Sequence, residues 1–483
     1  MNKKKRRIKK KNLIIFLLVL VITFLFILFN QSEKNFDNKV FFDGASEDYK
    51  CPDCNVILIT VDALRPDHLG CYGYERNTSP NIDKLAKEGV LFTQAISQSS
   101  FTNPALPSLM TSMYPDVHGV RGWGDYINPL ILTWAQFLNN NGFYTGAICA
   151  EDFFVAILGL EGGFDTLSKG IDLTAENITR EAVLWLEKNK DKKFFLWLHY
   201  FDPHEPYRPP THIKIEPENV RFKDDDKQVP ILNERPSDPD IYGGLGGIAE
   251  YAVVEGMRDK GYYILLYDKE IKYVDEQIGI LLKNLEELGL DKNTLIVITA
   301  DHGEALGEHN LYFTHGRFLY DELLKVPLII VGGFLPKNEI IKAQVESIDI
   351  LPTIMDILKI DYNKRGIEGI SLLPILYSKN KNDKYGESYA FSELKNKKSI
   401  RSPEWKLICA SDIDSDIEEY ELYNLKEDPK ELNNLADIEK DQFKLMKEKL
   451  EEWMSREKEN ISSLTKPLDE EAKEKLRSLG YLQ

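Results

Sequence analysis

Four runs of consecutive apolar, β-branched or aromatic residues punctuate the chain: 55–61 (NVILITV), 194–200 (FFLWLHY), 294–300 (TLIVITA) and 327–331 (PLIIV). None alternates with polar residues, which is the pattern of strands buried on both faces of a parallel sheet. Between them the apolar spacing changes to that of amphipathic helices, over 80–88, 131–141, 178–188 and 264–288. Strand and helix therefore take turns along the chain. That order predicts an α/β body with a mostly parallel sheet and helices on both faces. After Pro374 the polar stretch YSKNKNDKYGES reads as a hinge. Short strand patterns follow in YAFSEL, KSIRSPEWKLICA and EEYELYNL, and then a charged helix over 439–456. This predicts a small C-terminal antiparallel α+β subdomain, residues 376–483, beside a catalytic body at 55–375. Residues 211–260 are charged and proline-rich, then glycine-rich. They read either as a solvated surface loop or as an insertion at the mouth of a site that sets its specificity.

The N-terminus breaks the pattern. Lys3 to Lys11 is almost continuous positive charge, and Leu13 to Phe29 is uncharged and apolar. Such a run is near the lower end of the roughly 17–25 residues that span a bilayer. Its basic flank predicts a cytoplasmic arm at 1–11, a single-pass membrane anchor at 12–30, a polar linker at 31–54 and a catalytic body outside the cytoplasm. A cleaved signal peptide is the competing reading, but no small-x-small cleavage site follows the apolar run. The whole chain carries a net charge of −17, so the body without its basic arm is more acidic still. That balance argues against nucleic acid as a partner. Of the five cysteines, Cys51 and Cys54 stand just before the first strand. In an oxidising compartment this spacing points to a local disulfide.

Two of the apolar runs stop at side chains that bind metals. The first runs into Asp62 and the third into Asp301-His302. The carboxyl end of a strand is where an open α/β sheet places its chemistry. A third segment, SSFTNPALPSLMT, sets Thr102 just ahead of Pro104 and Pro107. Proline is tolerated in the first turn of a helix, so Thr102 is expected at a helix N-terminus, where free N–H groups and the dipole favour an anion. Read alone, Thr102 is equally an N-cap. The run 194–200 leads to Asp202 and His204 and supplies a further wall. A cation held by carboxylates and an imidazole would lower the pKa of a bound hydroxyl and draw charge from a phosphoryl or sulfuryl oxygen, which a weakly nucleophilic threonine needs.

In order, the segments VDALRPDHLGCYGY (61–74), TSPNIDKLAKEGVLFTQA (78–95), PSLMTSMYPDVHGV (107–120), HYFDPHEPY (199–207), ITADHGEALGEH (298–309), HGRFLYDELLKVPLII (315–330), SIDILPTIMDIL (347–358) and ELYNLKEDPKELNNLA (421–436) resemble the sulfatase family, within the alkaline-phosphatase-like superfamily. The resemblance implies that Asp62, Asp301 and His302 hold a divalent metal and that Thr102 is the nucleophile, its oxygen also touching the metal. It implies that Asp202, His204, His315 and Arg317 contact substrate or a second ion; His118 and His309 fit the family pattern too, and are read here as structural. Zn²⁺ or Mn²⁺ is favoured for this ligand set, with Ca²⁺ or Mg²⁺ as alternatives. One ion is expected and the second is left open.

The chain departs from the family at several points. Sulfatases carry Cys or Ser, converted to formylglycine, in Cys/Ser-x-Pro-x-Arg. Here the aligned residues are Thr102 and Leu106. GAICAED (146–152) replaces the family's Gly-Lys-x-His stretch. Thr with Asp-His resembles the phosphodiesterase and phosphotransferase branch. The expectation is a metal-dependent hydrolase or transferase acting on phosphoric esters in preference to sulfuric ones. The substrate would be a small molecule, a glycan or a lipid headgroup. A sulfuric ester hydrolase without formylglycine and an inactive, ligand-binding member are the alternatives.

Overall fold

The computed structural model describes residues 49–149, 152–168, 174–215, 227–232, 244–362, 366–378, 389–411, 418–456 and 464–465. Its centre is an eight-stranded sheet built from β1 (Asn55–Val61), β2 (Val90–Ile96), β3 (Tyr144–Cys149), β4 (Thr166–Leu167), β5 (Phe194–Tyr200), β6 (Thr294–Thr299), β7 (Lys325–Val331) and β8 (Glu339–Glu346). The spatial order is β8-β2-β7-β6-β1-β5-β3-β4. Only β7 runs against its neighbours, so the sheet is mostly parallel. Every residue of β1, β5 and β6 is buried. Their unbroken apolar sequence follows from that position, because a strand covered on both faces has no solvent side to mark with polar residues.

The helices form two packed groups. α1 (Pro80–Lys87), α4 (Ala175–Asn189) and α5 (Lys260–Glu287) belong to one, with α5 against both others. α2 (Thr102–Thr111) and α6 (Ile350–Ile357) belong to the other. The predicted helix at 131–141 begins at Trp134, as α3 (Trp134–Asn140), because Thr133 and Gln136 close a capping box.

The register of the central strands positions everything that follows. Thr60 of β1 pairs with His199 of β5 on one side and with Thr299 of β6 on the other. The three parallel strands therefore end level. β2 is antiparallel to β7, which is antiparallel to β6, so β2 also delivers its carboxyl end, and the start of α2, to the same edge.

The C-terminal region is a four-stranded antiparallel meander, β9 (Ala390–Leu394), β10 (Lys397–Arg401), β11 (Trp405–Ser411) and β12 (Glu418–Asn424), with α7 (Lys440–Met454) packed on it. Met446, Leu450 and Trp453 of α7 join Ile400, Leu407 and Leu422 in a separate small core. A buried charge network ties this sheet to the main body. The Lys406 ammonium, fully enclosed, lies 3.0 Å from Asp321 and 2.9 Å from Glu431. Arg401 reaches the other oxygen of Asp321 at 2.8 Å.

Two expectations about the ends of the chain meet different outcomes. Cys51 and Cys54 are disulfide-bonded. The single-pass anchor and the membrane location drawn from it are corrected. No helix among the described residues is long and apolar enough to cross a membrane, and the run at 12–30 lies outside the described residues.

Removing one partner of a buried charge network leaves the others uncompensated, at a cost of about 3–5 kcal/mol. Lys406→Met is therefore expected to lower unfolding stability by roughly that amount. The check is the urea midpoint followed by tryptophan fluorescence. A variant within about 0.5 kcal/mol of wild type would show that the network does not hold the C-terminal sheet in place.

Candidate active site

At the end of β1 the chain turns sharply. Ala63 takes a left-handed backbone, φ 55°, a conformation unfavourable for a residue with a Cβ. Tyr267 of α5 clamps it, donating to the Ala63 carbonyl at 2.7 Å and accepting from the Arg65 amide at 3.0 Å. Asp62 is thereby held at the strand end, where its side chain is buried and neither oxygen receives a hydrogen bond. At the end of β6, Asp301 Oδ1 accepts from the His302 and Ala63 amides at 3.0 and 3.4 Å, and Oδ2 has no partner. Gly303 must be glycine, because a Cβ there would overlap the Glu322 carbonyl.

Three histidines share one arrangement. His302 donates from Nδ1 to the Gly303 carbonyl at 2.9 Å. His204 donates from Nδ1 to the Glu205 carbonyl at 2.6 Å. His199 Nδ1 lies 2.8 Å from Thr60 Oγ1. A carbonyl can only accept, so in His302 and His204 Nδ1 carries a proton. Tying back one ring nitrogen in this way orients the other as a metal ligand. His302 Nε2 lies 2.9 Å from Thr102 Oγ1, 3.4 Å from Asp301 Oδ2 and 3.6 Å from Asp62 Oδ1. His199 Nε2 is 3.8 Å from Asp62 Oδ2.

Thr102 is the first residue of α2, after an extended Phe101, and is buried. It stands at the helix start, as its sequence context predicts, and its hydroxyl faces His302 instead of capping the helix. Asp62, Asp301 and His302 offer donor atoms within 4.8 Å of one another. A tetrahedral ion with bonds of about 2.0–2.2 Å has donor–donor edges of about 3.3–3.6 Å, which the His302–Asp301 and His302–Asp62 separations match, while Thr102 lies closer to His302, at hydrogen-bond distance. The electrostatics fit as well. Burial, then Asp301 and Glu205, push the Asp62 carboxyl well above the usual range. Burial lowers His199 to about 4, so its ring is neutral and offers Asp62 no positive charge. Paired carboxylates beside the neutral His199 ring make a set that a divalent cation completes.

A second cluster adjoins the first. His204, Glu205 and His315 also bring donor atoms within 4.8 Å. His315 Nδ1 lies 3.7 Å from Glu205 and 3.4 Å from Glu304, and its ring centroid is 4.2 Å from that of His302. Burial raises Glu205 to about 8 and lowers His204 to about 3. Burial, then Glu205 and Asp62, push Glu304 well above the usual range. From within the 211–260 segment, Tyr251 donates to Glu205 at 3.2 Å, so that segment reaches the site.

Two expected members are not in either cluster. Asp202, two residues past the end of β5 at Tyr200, turns to Glu270 of α5 and to the first turn of α4, and burial raises it to about 6. The donor offered from this stretch is Glu205 instead. Arg317 lies over the Phe318 ring and near Lys397. His118 bonds Ser108 at 2.9 Å and His309 stacks on Tyr320 at 3.6 Å. Sequence reasoning missed His199, Glu205 and Glu304. The signal for His199 was present, as the one titratable side chain besides Tyr200 in an otherwise apolar buried strand.

Comparison with known proteins identifies the family. The family description "Sulfatase" matches residues 54–360. A second, "N-sulphoglucosamine sulphohydrolase, C-terminal", matches residues 307–460. N-acetylglucosamine-6-O-sulfatase of Bacteroides thetaiotaomicron is 26% identical over 84% of this chain and 87% of its own length. Iduronate 2-sulfatase of Mus musculus is 30% identical over 57% of this chain and 59% of its own. Among solved structures, a protein in complex with its substrate D-glucosamine-2-N,6-O-disulfate superposes with TM-score 0.67 at 24% identity, over 83% of this chain and 97% of the other. The phosphonate monoester hydrolase of Agrobacterium radiobacter superposes with TM-score 0.65 at 20% identity, over 86% and 100%. The match over residues 54–360, more than half of the chain, shows that it belongs to the sulfatase family.

Proposed function

We propose that this chain is a metal-dependent hydrolase of sulfuric or phosphoric esters in which Thr102 attacks the ester. The observation that carries the reading is the Thr102 hydroxyl, 2.9 Å from His302 Nε2, a nitrogen that also lies 3.4 and 3.6 Å from Asp301 Oδ2 and Asp62 Oδ1, buried oxygens that receive no hydrogen bond. Asp62, Asp301, His302 and Thr102 would hold the cation, Zn²⁺ or Mn²⁺ before Ca²⁺ or Mg²⁺ on donor type. The cation, when bound, supplies a lowered hydroxyl pKa and a sink for charge on the ester oxygens. His204, Glu205 and His315 are the candidate set for a second ion or for direct contact with substrate.

The residues divide the work as follows. Thr102 Oγ bonds to the central sulfur or phosphorus while the bond to the alcohol oxygen breaks, and the hydroxyl proton leaves with the alcohol. Water then adds its oxygen to that centre while the bond from the centre to Thr102 Oγ breaks, and a water proton returns to Thr102 Oγ, so the sum is ester plus water giving alcohol plus inorganic anion. His302, its Nδ1 tied to the Gly303 carbonyl, keeps Nε2 turned toward Thr102 and the metal-binding carboxylates. Burial of the cluster keeps bulk water from competing for the attack.

The names of the relatives favour sulfuric esters of sugars, and a sugar disulfate is the substrate in one structural neighbour. The preference for phosphoric esters expected from Thr102 and Leu106 draws no support from those names. It keeps one neighbour, a phosphonate monoester hydrolase, and one chemical reason, that threonine cannot become formylglycine. Aryl sulfate, aryl phosphate monoester and aryl phosphodiester, assayed side by side with added Mn²⁺, Zn²⁺, Mg²⁺ and Ca²⁺, separate the two. Turnover of none of these with any metal would sink the hydrolase reading.

Thr102→Ala is expected to lower kcat by several powers of ten, as deletion of a nucleophile does, and Thr102→Ser to keep a measurable fraction. Near wild-type turnover in Thr102→Ala at normal metal content would remove Thr102 from the mechanism.

Asp62→Asn should have opposite effects on stability and on binding. It deletes a buried charge that nothing compensates, so the chelator-treated variant should melt higher than chelator-treated wild type. Its metal content should fall at the same time. Thermal melts with and without Zn²⁺, paired with elemental analysis, check both. A variant that melts lower in chelator would mean that Asp62 is paired within the protein.

A further inference from the structure

Buried polar side chains find hydrogen-bond partners in about nine cases of ten or more. The residues around Thr102 break that rule together. Ser99 Oγ, Ser100 Oγ, and both Oδ1 and Nδ2 of Asn103 have no partner, although all three residues are fully enclosed. The segment is not loose. Ser97 Oγ donates to the Asp301 carbonyl, and the Gly316 amide, beside His315, donates to the Ser100 carbonyl at 2.8 Å. The backbone is stitched to the two segments that carry Asp301 and His315, while the side chains at Ser99, Ser100 and Asn103 are left with unused donors. Thr102 lies between them in sequence.

The chemistry of these groups is specific. Two hydroxyls and a carboxamide can donate to the oxygens of a tetrahedral anion without bringing any charge. They sit at the amino end of α2, a ten-residue helix, where the helix dipole favours negative charge. Leu106, buried in the same helix, stands where the family pattern has an arginine. We propose that Ser99, Ser100 and Asn103 cradle the non-bridging oxygens of the sulfate or phosphate group, so that neutral donors take the place of that cation. The proposal rests on the reading of Thr102 as the attacking group, since it sets the cradle beside Thr102.

The test measures binding of inorganic phosphate and of inorganic sulfate to the full chain, saturated with Mn²⁺, by calorimetry. Each hydrogen bond to a charged group is worth roughly tenfold to a hundredfold in affinity. Asn103→Ala is expected to weaken phosphate binding by about that factor, with unchanged metal content and a thermal midpoint no lower than wild type, because the lost amide bonds nothing in the free protein. Asn103→Asp should abolish binding by charge repulsion, and Ser100→Ala should weaken it less. A purely structural or water-held Asn103 gives the reverse result: Asn103→Ala melts lower and binds phosphate as wild type does. That result overturns the proposal, as does a wild-type protein that binds neither anion. If Asn103→Ala does not fold, Ser99→Ala and Ser100→Ala carry the same test, and wild-type affinity in both overturns it. Repeating the titration in Thr102→Ala separates the two readings. Loss of turnover there with phosphate binding still dependent on Asn103 supports both, whereas retained turnover sinks the role of Thr102 and leaves the cradle standing on its own binding data.

Discussion

The parallel register of β1 with β5 and β6 is the constraint on which the site depends. Thr60 lies opposite His199 and Thr299, so three strands end at one level. Asp62, His199 and Asp301 meet there although they are far apart in sequence. Side chains alternate along a strand, so a slip of one residue would send Asp62 to the opposite face. Nothing local prevents such a slip in a run as uniformly apolar as NVILITV. Polar contacts at the end of the strand pin it: Trp197 Nε1 and His199 Nδ1 both reach Thr60 Oγ1, at 2.9 and 2.8 Å. Beyond the strand, the Tyr267 clamp on Ala63 and Arg65 sets the direction of the exit. Arg65 in turn holds the Glu304 carbonyl at 2.9 Å, which couples the exit from β1 to the exit from β6.

Much of this was legible in the sequence, and the limits have physical causes. The strands at 55–61 and 194–200 were placed to the residue, because an unbroken β-branched or aromatic run has few other ways to be buried. Asp62, Asp301 and His302 were singled out because each closely follows such a run. The stretch FDPHEPY was harder. Asp202, His204 and Glu205 lie within four positions of one another in irregular backbone, where neither the two-residue nor the 3.6-residue period says which side chain points inward. Asp202 turned toward Glu270, and Glu205 faced His204 and His315. Tertiary packing against α5 made that choice, and it leaves no local mark. Glu304 was hidden for a different reason. Two residues past His302, it reads as a surface acid until the fold buries it.

The contrast between acids within this one fold separates those that hold structure from those that await a partner. Asp268 is fully buried and receives His68, Tyr74 and Arg76 at 2.6–2.7 Å. Asp275 receives the amides of Asn81 and Ile82 and the Asn81 side chain. Asp321 has Arg401 and Lys406. Each charge is met within the protein, as burial requires. Asp62, equally buried, is met by nothing, and its nearest charged neighbours are other carboxylates. The same division runs through the neutral groups. Ser108 and Thr60 are paired, while Ser99, Ser100 and Asn103 are not. Unsatisfied acceptors gather on one side of Thr102 and unsatisfied donors adjoin it in sequence. Under the proposed function, a cation would answer the first and the anionic group of the ester the second.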